Sequence, residues 1–222
     1  MVVWASVASA RPTHSHPWLA EVLFALDDHL LRRDCVIEYS QDPACLFRLE
    51  IDHLRRPLAL RDGTRVAPAQ RMARLHFWNR HVPPVPRNGA SIAWARRMQK
   101  AIALSLRELT RYLQSRPDLD DVAVICGDVP NATQAQSDQL ARIMAYYGFE
   151  TIAEHAASPI GQCLHRFGEN ILISLIVLAQ NAAALRLDTL SRVRVPIYLS
   201  RERLERRFGD AGRSAAQTGE AS

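Results

Sequence analysis

RMARLHFWNRHVPPVPRNGASIAWARRMQKAIALSLRELTRYLQ, residues 71–114, changes period partway along. Up to Asn79, Leu75 and Phe77 alternate with Arg74, His76 and Trp78, the two-residue period of a half-buried strand. From Ser91 to Gln114, Ile92, Ala95, Met98, Ile102, Leu106, Leu109 and Leu113 recur at helical spacing, with Arg96, Arg97, Lys100, Arg107 and Arg111 off that stripe. Between them lies a proline-rich basic loop that ends in Asn88-Gly89. A polar-faced strand followed by a long one-sided helix predicts a sheet with helices packed against it.

Working back from residue 71, Leu49 and Ile51 alternate with Arg48, Glu50 and Asp52 in a second strand over 46–54. Asp62-Gly63 marks a turn between short apolar pieces, residues 35–40 read as a strand, and residues 17–33 as a helix. Successive strands through short turns predict an antiparallel meander. Working forward, 120–129 reads as a buried strand, 133–148 as a helix closed by Gly148, and 149–155 as a strand. The apolar run 171–179 reads as a buried helix, 192–199 as a last strand, and 200–209 as a helix with Ser200 as N-cap. The fold class is α+β, a single mostly antiparallel sheet flanked by helices. One domain over 17–208 is expected, with a flexible arm over 1–16 and a disordered tail over 209–222.

The charge balance of the 222 residues is +5, and arginine supplies nearly all the positive groups. Arginine suits bidentate contact with phosphate or carboxylate. Glu108 and the lack of interleaved aromatics on the basic helix weigh against nucleic acid as a partner. Cysteines 35, 45, 126 and 163 form no CxxC pair and have no histidine at zinc-finger spacing, so no metal is expected. They read as reduced, buried thiols of a cytoplasmic protein. The run 171–179 is too short to cross a bilayer, so no transmembrane segment is expected. Walker, GxGxxG, GxSxG and HExxH patterns are absent.

If the strands 46–54 and 71–79 lie close together, Arg48, Glu50, Arg74, His76 and Trp78 share one polar face. Glu50 could then orient His76 as a general base. Arg48 and Arg74, with Arg87, could hold an anionic group, and Trp78 could offer a stacking surface. Asn131, just beyond a buried strand, is a further substrate-binding candidate. The alternative is a polar face satisfied by local hydrogen bonds.

The pattern Asp62-Gly63-Thr64, a spacer, then Leu75-His76-Phe77-Trp78-Asn79 resembles a signature of the YkoP-like family of bacterial proteins. Members of that family look like companions or fusion partners of envelope-polysaccharide and lipid enzymes. The element order is also similar to that of GNAT-type acyltransferases, with Asn131, Gly148 and Phe149 in the region where those enzymes carry a strand, an Asn, a helix and Gly-Phe. That resemblance implies acyl-CoA as co-substrate, its pyrophosphate received at Arg87, Asn88, Gly89, Ala90 and Ser91 where the long helix opens. The loop departs from the family spacing. One residue separates Arg87 from Gly89, Pro83, Pro84 and Pro86 lack N–H groups, and Met144 stands where a tyrosine acid is common. The resemblances together imply acyl transfer to an envelope-related lipid or sugar precursor, or else a non-catalytic accessory protein that docks a partner enzyme.

Overall fold

The computed structural model describes residues 21–22, 25, 29, 36–83, 86, 91–131, 142–152 and 193–209. The expected helix 171–179, the arm 1–16 and the tail beyond 209 lie outside the described residues. Strict alternation produces the first pair of strands. Strand β1 (Phe47–His53) and strand β4 (Arg71–Phe77) are antiparallel and in register along their whole length, from Phe47 opposite Phe77 to His53 opposite Arg71. Leu49, Ile51, Ala73 and Leu75 therefore face one way, and Arg48, Glu50, Asp52, Arg74 and His76 the other, with Met72 beside them.

The meander is corrected in one respect. The intervening pieces β2 (Leu58–Ala59) and β3 (Arg65–Val66) form a separate two-stranded hairpin and do not enter the main sheet. Their apolar side chains bury elsewhere: Leu58, Leu60 and Val66 pack with Leu54 on Met72, Val124, Cys126 and Tyr198, on the sheet face opposite the long helix. Of the expected strand 35–40, the described residues 36–40 contribute a bridge between Ile37 and Leu49.

Among the described residues the main sheet has five strands in the order β1-β4-β5-β7-β6, with β5 at Val124–Asn131, β6 at Glu150–Thr151 and β7 at Val193–Ser200. All neighbours are antiparallel except β4 and β5. Parallel neighbours need a crossover, and helix α1 (Ile92–Gln114) supplies it. Leu106, Leu109 and Leu113 of α1 pack on Leu49, Ala73, Ile125, Ile197 and Leu199. The expected stripe is right over the later turns and wrong at the start. Ile92 is exposed, whereas Trp94, Ala101 and Ser105 are buried. Trp94 turns inward because its indole N–H donates to the Pro83 carbonyl at 3.0 Å. Ser105 joins helix to sheet: its Oγ accepts from the Leu46 N–H and donates to the Ala101 carbonyl, both at 2.7 Å.

The helical residues 142–146 end in a Schellman turn at Gly148, which has φ +94°. The Phe149 N–H reaches back to Met144 O and the Gly148 N–H to Ala145 O. Helix α2 (Arg201–Phe208) opens with Ser200, whose hydroxyl accepts from the Arg203 N–H. Arg201 donates to the Leu113 and Leu119 carbonyls, which satisfies the end of α1.

The Asp62-Gly63-Thr64 turn is a latch. One oxygen of Asp62 accepts from the Thr64 N–H at 3.0 Å, and the other accepts the Ser200 hydroxyl at the start of α2. Gly63 has φ +91°, which favours glycine. Burial acts to raise the Asp62 carboxyl, but the bonds from Ser200 and Thr64 and the charge of Arg203 outweigh it and hold it below its ordinary value. Its stabilisation is therefore complete above the ordinary carboxylate range and lost as pH falls through the lower folded value. Asp62→Asn should cost about 1–2 kcal/mol at neutral pH and progressively less toward about pH 3, measured by urea unfolding.

Replacing Ser105 with alanine should cost about 1–3 kcal/mol in the same assay, because it strands the buried Leu46 N–H.

Candidate functional site

The polar face of β1 and β4 assembles as their alternation requires. His76 and Glu50 are diagonal neighbours, and His76 Nε2 lies 2.7 Å from Glu50 Oε2. If Nε2 carries the proton and donates to the carboxylate, Nδ1 keeps the lone pair of a base. Nδ1 has no partner among the described residues. The side chains of His76 and Glu50 are half-buried.

Both arginines of this face are matched by carboxylates within the fold. Arg74 donates to Asp52 at 3.1 Å through Nε and to Asp128 at 3.0 Å through Nη1. Burial acts to lower its pKa, yet Cys126, Asp128 and Asp52 hold it above the ordinary arginine value. Arg48 is 3% exposed, pairs with Glu38 at 3.1 Å and lies 4.2 Å over the Trp78 ring. In the fold both are paired with carboxylates of this chain, Arg48 with Glu38 and Arg74 with Asp52 and Asp128. Trp78 lies beneath Arg48. It is half-buried and stacks on His81 at 3.7 Å, whose Nδ1 is 2.9 Å from the Cys45 carbonyl. Its indole N–H is buried with no partner among the described residues.

Ser91 is the N-cap of α1, its hydroxyl accepting from the Trp94 N–H at 3.1 Å. That contact starts the helix and engages the Trp94 N–H, one of the backbone donors of its first turn. Arg87, Asn88, Gly89 and Ala90 lie outside the described residues. Asn131 is the last residue of β5, opposite Val193.

From the sequence, Asp128 and Asn131 flank Pro130 just after a buried strand, where a turn role is the better reading for Asp128. It lies on β5, on the same face as Arg74, with one oxygen bonded to Arg74 and Oδ1 buried without a hydrogen-bond partner among the described residues. The signal was its place one residue beyond the parallel junction. The β4–β5 ladder contains only Ala73–Ile125, Arg74–Cys126 and Leu75–Gly127. Beyond it β4 continues to Phe77 and β5 to Asn131, unpaired with each other. The two strands are thus unpaired with each other at their C-terminal ends, the position where open sheets bind ligands. His76 stands on β4 and Asp128 on β5, each one residue past the ladder. Cys45 and Cys126 are buried and form no disulfide. Among the described residues no three His, Cys, Asp or Glu side chains are placed to hold a metal, and no helix is long and apolar enough to cross a membrane.

Arg74→Met should destabilise the protein by about 2–3 kcal/mol in urea unfolding, since it leaves Asp52 and Asp128 facing each other without their counter-ion. Adding Asp52→Asn and Asp128→Asn to that variant should restore much of the loss.

No curated protein and no solved structure gives a match. Residues 23–208 match the YkoP domain, a span that takes in the Asp62 latch, the His76 strand, the parallel junction and helix α2. The two halves of the motif thus have separate physical roles, a latch and a polar strand face, and the chain that carries them belongs to the YkoP-domain family.

Proposed function

We propose that the protein is an acyl-CoA-dependent acyltransferase acting on an envelope-related lipid or sugar precursor, on a scaffold laid out like GNAT-type enzymes. The observation that carries this reading is the 2.7 Å His76–Glu50 bond just past the parallel junction of β4 and β5. A carboxylate-oriented imidazole at such a strand end is suited to proton removal. As the acceptor nitrogen or oxygen bonds to the thioester carbonyl carbon, its proton passes to His76 Nδ1. The carbon–sulfur bond breaks, and the sulfur leaves as a thiol on taking up a proton. The crossover helix begins at the same end of the sheet, with no acidic residue in its first turn. Its N-terminus favours a pyrophosphate, to which Arg87 would add charge. The reading places the protein in the cytoplasm, in keeping with its free thiols.

Titration with acetyl-CoA, a long-chain acyl-CoA and free CoA tests this by calorimetry and thermal shift. Saturable binding should raise the melting temperature by mass action and should weaken in Arg87→Ala. His76→Ala should then slow transfer by about 10²–10⁴-fold with acyl-CoA affinity unchanged. Absence of any shift at millimolar ligand would overturn the proposal.

A second reading, an accessory protein that docks a partner enzyme, draws on the internal pairing of Arg48 and Arg74 and on the exposed Arg96, Arg97 and Lys100. On that reading, reversing the three exposed charges abolishes association while His76→Ala has no effect.

A further inference from the structure

We infer that the outer face of the first half of α1, with the adjoining residues 142–146 and Arg207, docks on the surface of an anionic lipid bilayer. The inference holds whether or not the protein transfers acyl groups. It assigns to lipid the exposed cations that the accessory reading gave to a partner enzyme.

Three observations lead there. The first is unmatched charge. Ile92, Arg96 and Lys100 stand in one row of α1 at four-residue spacing, with Arg97 beside them, and all four are exposed. Elsewhere on the surface Arg111 pairs with Glu108, Arg116 with Asp118, Arg201 with Glu205 and Arg206 with Glu202. The first half of α1 has no such partner to offer, because the first acidic residue of the helix is Glu108. Arg96, Arg97 and Lys100 meet no carboxylate among the described residues. Like charges one turn apart weaken a helix, so this row is not one that the fold itself favours.

The second is apolar surface set among those charges. Five large apolar side chains are exposed among the described residues, and three of them, Ile92, Ile143 and Tyr146, lie on or beside this face. Ile92 heads the charged row and is 53% exposed. Residues 142–146 are fastened alongside by Tyr147, whose hydroxyl donates to the Gln99 carbonyl at 3.4 Å. Tyr146 stands edge-on to Tyr147 with ring centres 5.2 Å apart and is 57% exposed. Arg207 of α2 lies 5.0 Å over the Tyr146 ring, and Arg142 is exposed next to Ile143. Neither arginine meets a carboxylate among the described residues.

The third is what such a mixture fits. Exposed apolar side chains gathered in one place mark an interaction surface. A polynucleotide would meet the cations and stack on the tyrosine, yet it gives two isoleucines nothing to enter. The surface of an anionic bilayer takes both kinds of group. Its phosphates receive arginine and lysine, its acyl boundary receives isoleucine, and a tyrosine ring sits at headgroup level.

The test is sedimentation of the full-length protein with vesicles of phosphatidylcholine alone and of phosphatidylcholine with about 30% phosphatidylglycerol. The protein should bind the anionic vesicles saturably and the neutral ones hardly at all, and rising salt should weaken the binding. Each cation near such a surface contributes about fivefold, so joint Arg96→Gln, Arg97→Gln and Lys100→Gln should lower the partition about 100-fold. Ile92→Ser with Tyr146→Ser should lower it about tenfold, through lost apolar contact. A single-stranded oligonucleotide at matching phosphate concentration should leave the bound fraction unchanged. No binding to anionic vesicles, equal binding to both kinds, or full partition in either folded variant would each overturn the inference. Displacement by the oligonucleotide would overturn it too and make the face a polynucleotide site. The wild-type vesicle comparison decides the matter even where a variant fails to fold.

Discussion

The parallel junction between β4 and β5 is the constraint on which the rest of the structure depends. Two neighbouring strands that run the same way cannot be joined by a tight turn, so the chain must leave the sheet after Phe77, cross it with α1 and re-enter at Val124. The crossover supplies Leu106, Leu109 and Leu113 to the core and positions Ser105 against the start of β1. The junction is also short. Three residue pairs hold it, against seven between β1 and β4 and eight between β5 and β7. The ladder therefore ends within the sheet itself and leaves the C-terminal ends of β4 and β5 unpaired with each other.

The two faces of the sheet solve different problems. Under α1 the face is apolar and close-packed. On the far side, the hairpin β2–β3 covers one end with leucine and valine, and the remaining end holds Arg48, Glu50, Arg74, His76 and Asp128. Partly buried charges persist there because each guanidinium meets a carboxylate with good geometry. Arg74 bridges β1 and β5 through Asp52 and Asp128, so these ion pairs tie β1, β4 and β5 together.

Much of this was legible in the sequence. Period-two alternation revealed β1 and β4 and their polar face, and the coincidence of Glu50 with His76 followed from it. Gly148 and Ser200 announced helix ends through local chemistry that needs no tertiary context. What stayed hidden was non-local. Alternation does not reveal which strand pairs with which, so the hairpin was read into the meander. It does not reveal charge matching either, so the pairing of Arg48 with Glu38 and of Arg74 with Asp52 and Asp128 was not visible. Asp128 itself follows an apolar strand and reads as a turn residue until the register with β4 is known.

The strand order carries a consequence for how the protein is made. β7 lies inside the described sheet, between β5 and β6, yet its residues 193–200 follow those of every other described strand. During synthesis those strands emerge first, and the long edge of β5 waits without its antiparallel partner. An unpaired inner edge of eight residues is an invitation to other chains. The Asp62–Ser200 bond can close only when the last strand has arrived, so it fastens the earliest hairpin to the final helix. A nascent or truncated chain that ends before β7 would thus expose an adhesive edge, and the cell must carry the protein through that interval to release it whole.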